Sequence, residues 1–173
     1  MHLRYSITLG TVAALGSAPL LAAELQLKIE LPRLAVAEYH RPYVAMWLEK
    51  PDQSVAANLA VWYDLKKRND EGAKWLKELR TWWRKAGRDM TLPADGLTSA
   101  THPAGEQSVS FPAAKAALDK LPAGDYVLAV EAARESGGRE VVRVPFAWPP
   151  KAATTTSAKG ENELGAVSVT VTP

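Results

Sequence analysis

The residues best suited to chemistry in this sequence lie in one hydrophilic stretch, DGLTSATHPAG, which runs from Asp95 to Gly105. An aspartate, two threonines and a serine fall within seven residues there, and the last of them is Thr101. Flanking glycine and proline are typical of an exposed loop. One interpretation is an ordered turn, because such side chains bind the amides of their own loop. The other is that Thr101 offers its hydroxyl to a second enzyme.

The same stretch resembles the motif at which exported proteins receive FMN through a phosphoester bond. That motif consists of aspartate, two variable residues, serine or threonine, glycine or serine, alanine and threonine. It is matched here by Asp95, Thr98, Ser99, Ala100 and Thr101. The resemblance implies that an FAD:protein FMN transferase links FMN to the Thr101 hydroxyl. His102, the next residue, would place a partial or full positive charge near the phosphate.

The chain offers little else for catalysis or metal binding. It contains no cysteine, which excludes disulfides, thiolate catalysis and cysteine-ligated metals. Beyond the first 23 residues only His40 and His102 remain, and a bound metal usually recruits three or more protein ligands. No G-x-S-x-G or Walker sequence occurs. A small hydrolase that uses Glu38, Glu49 or Glu131 with a histidine is an alternative without a motif.

The N-terminal residues predict export. Residues 1–4 carry one arginine, and the apolar run YSITLGTVAALGSAPLLAA that follows has no acidic residue, as in a secretory signal peptide. We expect cleavage after Ala23, so that residues 1–23 are the signal peptide and the mature chain is periplasmic. Glycine, serine and proline interrupt the run, which is shorter than the roughly 20 apolar residues of a membrane span.

Alternation of apolar and polar residues predicts seven short strands, in the segments 25–32, 41–54, 57–67, 106–111, 123–136, 139–148 and 163–172. Strands and helices do not alternate along the chain, so we expect an Ig-like antiparallel β-sandwich and a single domain over residues 24–173. In the second segment, Tyr43, Ala45, Trp47 and Glu49 would lie on one face of the strand. The net charge of +2 arises from interspersed acids and bases, which does not favour nucleic acid as a partner.

One segment departs from the strand pattern. DEGAKWLKELRTWWRKAG predicts a single amphipathic helix over about residues 70–86, with acidic residues at its start and basic residues at its end. Trp75, Leu79, Trp82 and Trp83 recur at helical spacing, which favours packing against a core over cofactor binding. A polar segment rich in proline and threonine predicts a mobile loop at about residues 149–162.

Six segments follow one another along most of residues 25–171: YHRPYVAMWLEK, LAVWYD, KWLKELRTWW, DGLTSATHPAG, LPAGDYVLAVEAARE and ELGAVSVTV. In this order they resemble the DUF2271 family of exported bacterial proteins. The segment LPAGDYVLAVEA also resembles a hairpin of bacterial Ig-like modules. The family resemblance implies a flavin carrier in extracytosolic electron transfer, with a PepSY-type membrane reductase and the FMN transferase as partners.

We therefore expect a periplasmic carrier of covalent FMN without catalytic activity of its own. The flavin ring would lie against Tyr43, Trp82 or Trp83, and His40 and Arg41 would tune its potential. The alternative is a cofactor-free Ig-like module that docks to a membrane or iron-uptake partner through its aromatic sheet.

Overall fold

Two β-sheets pack face to face in the computed structural model, which describes residues 23–111 and 115–173. The strands are β1 (Glu24–Leu31), β2 (Tyr43–Glu49), β3 (Val55–Tyr63), β4 (Thr98–Ala100), β5 (Gly105–Ser110), β6 (Gly124–Ala133), β7 (Arg139–Trp148), β8 (Thr154–Lys159) and β9 (Ala166–Thr172). One sheet has the order β5-β1-β9-β8 and the other the order β4-β3-β2-β6-β7. The predicted signal peptide lies outside the described residues apart from Ala23.

The strand order confirms the predicted mainly β sandwich. Strands β3-β2-β6-β7 are antiparallel neighbours in one sheet, and β1 pairs with β5 in the other. This division corresponds to the C′-C-F-G sheet and the B–E pair of an immunoglobulin-type sandwich. Strand β9 adds to the free side of β1, and β4 pairs in parallel with β3.

Strand β2 is buried along its whole length because both faces of its sheet are covered. Val44, Met46 and Leu48 belong to the core between the two sheets. Tyr43, Ala45 and Trp47 belong to a second core on the outer face. The alternation predicted for this strand is therefore confirmed, and its second apolar face packs against residues 68–89, here called the helical segment.

The prediction of a single helix over residues 70–86 is wrong, because the helical segment consists of short separate helices and turns. The α-helical pieces are α1 (Glu71–Lys74) and α2 (Arg80–Lys85), and 3-10 turns cover Arg68–Asp70, Leu76–Glu78 and Gly87–Asp89. A further short helix, α3 (Lys115–Leu118), precedes β6. No helix in the described part of the chain is long and apolar enough to cross a membrane.

A buried carboxylate from the sheet explains the break at Leu79, whose φ of −73° and ψ of 65° are not helical. Glu131 on β6 accepts hydrogen bonds from the backbone amides of Thr81 at 3.0 Å and Trp82 at 2.8 Å. A continuous helix would bind both amides to its own carbonyl groups four residues earlier. Glu131 takes their place, so a new helix begins where the carboxylate meets its free amides.

Two of the nine strands in the described residues were not predicted. Strand β8 lies inside the predicted mobile loop and pairs with β9 over six residues, with the hydroxyl oxygens of Thr155 and Thr170 2.9 Å apart. The mobile-loop prediction is therefore wrong for residues 154–159. Strand β4 lies inside DGLTSATHPAG, so this stretch is only partly the exposed loop that its composition predicted.

Candidate functional site

Thr101 is placed by a short edge strand that precedes it directly. Strand β4 pairs with β3 so that Thr98 lies opposite Val61, and the Val61 amide donates to the Leu97 carbonyl at 2.7 Å. The Thr98 hydroxyl accepts a hydrogen bond from the Ala94 amide at 3.0 Å, which closes the turn before the strand. This contact is the ordered turn that the hydroxyl-rich composition suggested, and it anchors the backbone that presents Thr101.

A cavity of about 340 Å³, here called the Thr101 cavity, opens beside this residue. Its walls are formed by Tyr39, His40, Arg41, Tyr43, Asp64, Lys66, Lys67, Ala100, Thr101 and Glu135. The volume lies near the lower end of the range of about 300–1,000 Å³ for small-molecule sites. Thr101 is half-buried and Ala100 is exposed, so the hydroxyl lies beside a side chain too small to obstruct its approach.

The walls of the Thr101 cavity carry three cationic side chains, Arg41, Lys66 and Lys67, and two acidic ones, Asp64 and Glu135. Lys67 pairs with Glu135 at 2.7 Å, and the hydrogen bond to that carboxylate raises the pKa of Lys67. His40 lies 3.2 Å from Glu38. Arg41 and Lys66 form no ion pair within the described residues. The cavity therefore offers a guanidinium and an ammonium group to an anion.

Tyr43 is the one side chain in the described residues with a buried polar atom that lacks a hydrogen-bond partner. The residue is 8 % exposed, and its hydroxyl lies near the backbone of Asp64 without the geometry of a hydrogen bond. Burial raises the pKa of Tyr43, and the nearby Asp64 amide and the Lys67 ammonium oppose this effect. The neutral phenol is thus a donor without an acceptor.

A second cavity of about 250 Å³ adjoins the first at Tyr43 and Glu135. We call it the turn cavity because residues 134–138, the turn between β6 and β7, form one wall. Its remaining lining residues, besides Tyr43, are Trp75, Glu78, Arg80, Ala133 and Arg139. Lys67 connects the two spaces, since its ammonium lies 5.7 Å from the centre of the Trp75 ring. Trp75 is 40 % exposed.

The structure brings together five of the residues that the sequence proposed for the site. One cavity is lined by Thr101, Ala100, His40, Arg41 and Tyr43. Asp95 is exposed and makes no side-chain hydrogen bond in the part of the chain that is described. Ser99 and Thr98 belong to β4, where Thr98 closes the turn.

Three other proposed residues lie outside both cavities. The His102 ring stacks on Trp62 with 4.1 Å between centres, and its Nδ1 lies 3.1 Å from Gln107 Oε1. Trp82 is buried and donates to Asn58 at 3.0 Å. Trp83 is half-buried against the outer core. The proposed contacts of these rings with a flavin stay predictions.

Sequence reasoning did not assign Trp75, Lys66, Lys67 or Glu135 to the site. Trp75 was placed on the core stripe of a helix that the structure breaks, and the lysines follow β3 in a polar segment. Two adjacent lysines at the end of the predicted strand segment 57–67 were a signal for an anion, but the sequence contains no information on which loop faces them.

Two acids of the hydrolase alternative are engaged in structural contacts, while the third, Glu38, is exposed and lies 3.2 Å from His40. Glu49 is buried and binds Arg143 at 3.0 Å, Lys85 at 2.9 Å and the Trp47 indole at 3.0 Å. Glu131 binds two backbone amides and Arg139. Across residues 23–111 and 115–173, no group of three or more histidines and acids is arranged to hold a metal ion.

The fold and the cavity define a β-sandwich protein with a pocket of mixed charge, one cation in excess, beside a half-buried threonine. Residues 24–166 match the model of the family described as predicted periplasmic protein (DUF2271), and the chain belongs to that family. No curated protein sequence matches the chain, and no solved structure does.

Proposed function

We propose that the protein carries FMN linked covalently to Thr101 and transfers electrons in the periplasm, with a PepSY-type membrane reductase as its partner. The observation that carries the proposal is the position of Thr101 in the wall of a cavity that also presents Arg41 and Lys66. A covalent phosphoester needs a reachable hydroxyl and cations near the phosphate, and both occur here.

The residues present fit the attachment chemistry. The Thr101 oxygen would attack the FMN-side phosphorus of FAD, forming a new P–O bond while the P–O bond to the AMP portion breaks. AMP leaves, and the hydroxyl proton passes to a base of the FAD:protein FMN transferase. Ala100 leaves space beside the nucleophile, and the hydrogen bond of Thr98 holds the turn that presents it.

After attachment, the roles of this chain are binding and electrostatic tuning. Arg41 and Lys66 would balance the negative charge of the phosphodiester, and Tyr39 and Tyr43 supply aromatic surface in the same cavity. The flavin supplies the redox chemistry, while the protein sets its surroundings.

Intact-mass measurement tests the proposal directly. The protein is co-expressed with an FAD:protein FMN transferase, and we expect one added FMN, less water, on the wild type and on Thr101→Ser. Thr101→Ala should carry none, and Thr155→Ala, an exposed threonine on β8, serves as the matched control. An unmodified wild type, or an unchanged adduct on Thr101→Ala, contradicts the proposal.

The structure lends less support to docking without a cofactor through an aromatic sheet. Trp47, Trp62 and Tyr63 on the central strands are buried in the two cores. These rings are therefore inaccessible to a partner protein.

A further inference from the structure

We propose that the ring system of the flavin linked to Thr101 binds in the turn cavity, against Trp75, with the Tyr43 hydroxyl donating a hydrogen bond to its polar edge. This inference rests on the proposed function and adds to it the subsite for the ring. It also changes the aromatic partner from Trp82 or Trp83 to Trp75.

The Thr101 cavity and the turn cavity adjoin each other. They share Tyr43 and Glu135, and Lys67 reaches from its ion pair with Glu135 towards the ring of Trp75. The Thr101 cavity contains Arg41 and Lys66, which form no ion pair in the described residues and suit the phosphate. The turn cavity contains the exposed indole of Trp75, which suits a planar aromatic ring.

Tyr43 stands at the junction with an unfulfilled hydrogen bond. Its side chain is more than nine-tenths buried, and the hydroxyl has no partner. Burying a polar group without a partner is unfavourable, so a ligand that brings an acceptor to this point gains a contact the protein has left open. The oxygen and nitrogen atoms along the edge of a flavin ring are such acceptors.

The far wall of the turn cavity is preformed. Arg134 binds Glu163 through two hydrogen bonds of 3.0 and 3.1 Å, and both side chains are nearly buried. Gly137 packs on the Arg134 guanidinium and Gly138 on the Glu163 carboxylate, where a Cβ atom would come within 3 Å of either group. A wall fixed in this way needs little reorganisation when a ring binds.

The test uses the protein modified by the transferase and compares matched substitutions. Trp75→Leu and Tyr43→Phe alter the proposed ring site. Trp83→Leu and Tyr63→Phe are the controls, because neither residue lines the Thr101 cavity or the turn cavity. Tyr63 is a buried neighbour of Tyr43, with 6.3 Å between the ring centres. Intact mass, flavin fluorescence, midpoint potential and melting temperature are measured for each variant.

We expect full modification of all four variants. Trp75→Leu should increase flavin fluorescence several-fold, because a stacked indole quenches it, and Trp75→Phe should give an intermediate value. Tyr43→Phe should lower the midpoint potential, because the lost donor stabilises the negative charge of the reduced ring. Both controls should match the wild type.

The outcomes separate this inference from the proposed function. A missing adduct on the wild type overturns both. A complete adduct with wild-type fluorescence in Trp75→Leu and wild-type potential in Tyr43→Phe overturns only the ring site. An increase in fluorescence confined to Trp83→Leu also overturns it, because the ring would then lie at the other end of the helical segment.

Discussion

The Glu131 carboxylate accepts a hydrogen bond from the backbone amide of Trp82 at 2.8 Å, joining the centre of the sheet to the start of α2. Glu131 is fully buried and also binds Arg139 at 3.0 Å. The contact fixes where the helical segment breaks and how it packs on the outer core. The segment carries Trp75, so Glu131 also supports one wall of the turn cavity.

Replacing Glu131 with glutamine should destabilise the protein by about 3 kcal/mol, because the amide leaves Arg139 and one backbone amide without an acceptor. Urea unfolding measures the change. Glu106→Gln is the control, since its exposed pair with Lys28 should contribute less than about 1 kcal/mol. Equal losses of unfolding free energy in the two variants would contradict a stabilising role of Glu131.

Breaking the buried pair of Arg134 and Glu163 should cost about 3–5 kcal/mol in the single variants Arg134→Met and Glu163→Leu. Either change leaves one buried charge without its partner. The double variant should recover part of this loss, because no unpaired charge then remains. Additive losses in urea unfolding would contradict this coupling.

Gly72→Ala should destabilise the protein by about 1–3 kcal/mol, because a Cβ there would collide with the Asp64 carbonyl oxygen. This close approach lets α1 pack on the end of β3. Gly124→Ala is the matched control, since nothing lies within 4 Å of a Cβ at that position. Thermal unfolding that ranks the two variants equally would contradict the prediction.

Acid should weaken the hairpin of β8 and β9 through Glu140. Burial favours the protonated form, but the amides of residues 161, 164, 162 and 163 donate to the carboxylate, and the net pKa of Glu140 lies below its ordinary value of 4.5. The folded state therefore gains stability above pH 4.5 and loses it as pH falls through the lowered pKa.

Glu140→Gln should reduce stability at neutral pH and flatten the dependence on pH in the acid range below 4.5. Urea unfolding at several pH values measures both effects. Glu161→Gln is the control, because it removes an exposed carboxylate from the same turn and keeps the backbone amide that donates to Glu140. A Glu140→Gln profile parallel to the wild type would exclude Glu140 as the source.

Removing a free cation from the Thr101 cavity should slow modification by the FMN transferase. Lys66→Gln and Arg41→Gln should each reduce the rate about two- to tenfold, in line with roughly 0.5–1.4 kcal/mol for a partly exposed charge contact. Added salt should diminish the difference. Lys151→Gln, an exposed lysine before β8, is the control. If neither substitution changes the rate of modification, Arg41 and Lys66 do not bind the phosphate.

Local pattern predicted β2 correctly because successive residues of a strand point to opposite faces, and both faces of this short segment are almost entirely apolar. Local pattern failed at Leu79, where the apolar residues keep helical spacing but the helix is interrupted. The cause lies 52 positions further along, in the carboxylate of Glu131, so no window of neighbouring residues contains the information. Strand β8 was missed for a similar reason, since its polar threonines form a strand only by pairing with β9.

The sequence by itself determined the strand alternation and the sandwich class, because these depend on residue type and short-range spacing, and its resemblance to the FMN-attachment motif indicated Thr101 as the hydroxyl to examine. The tertiary structure alone decided that His102 packs on Trp62, outside both cavities, while Lys66 and Tyr43 meet Thr101 in one cavity. That outcome follows from the pairing of β3 with β4, a long-range contact whose geometry exists only once the sheet has formed.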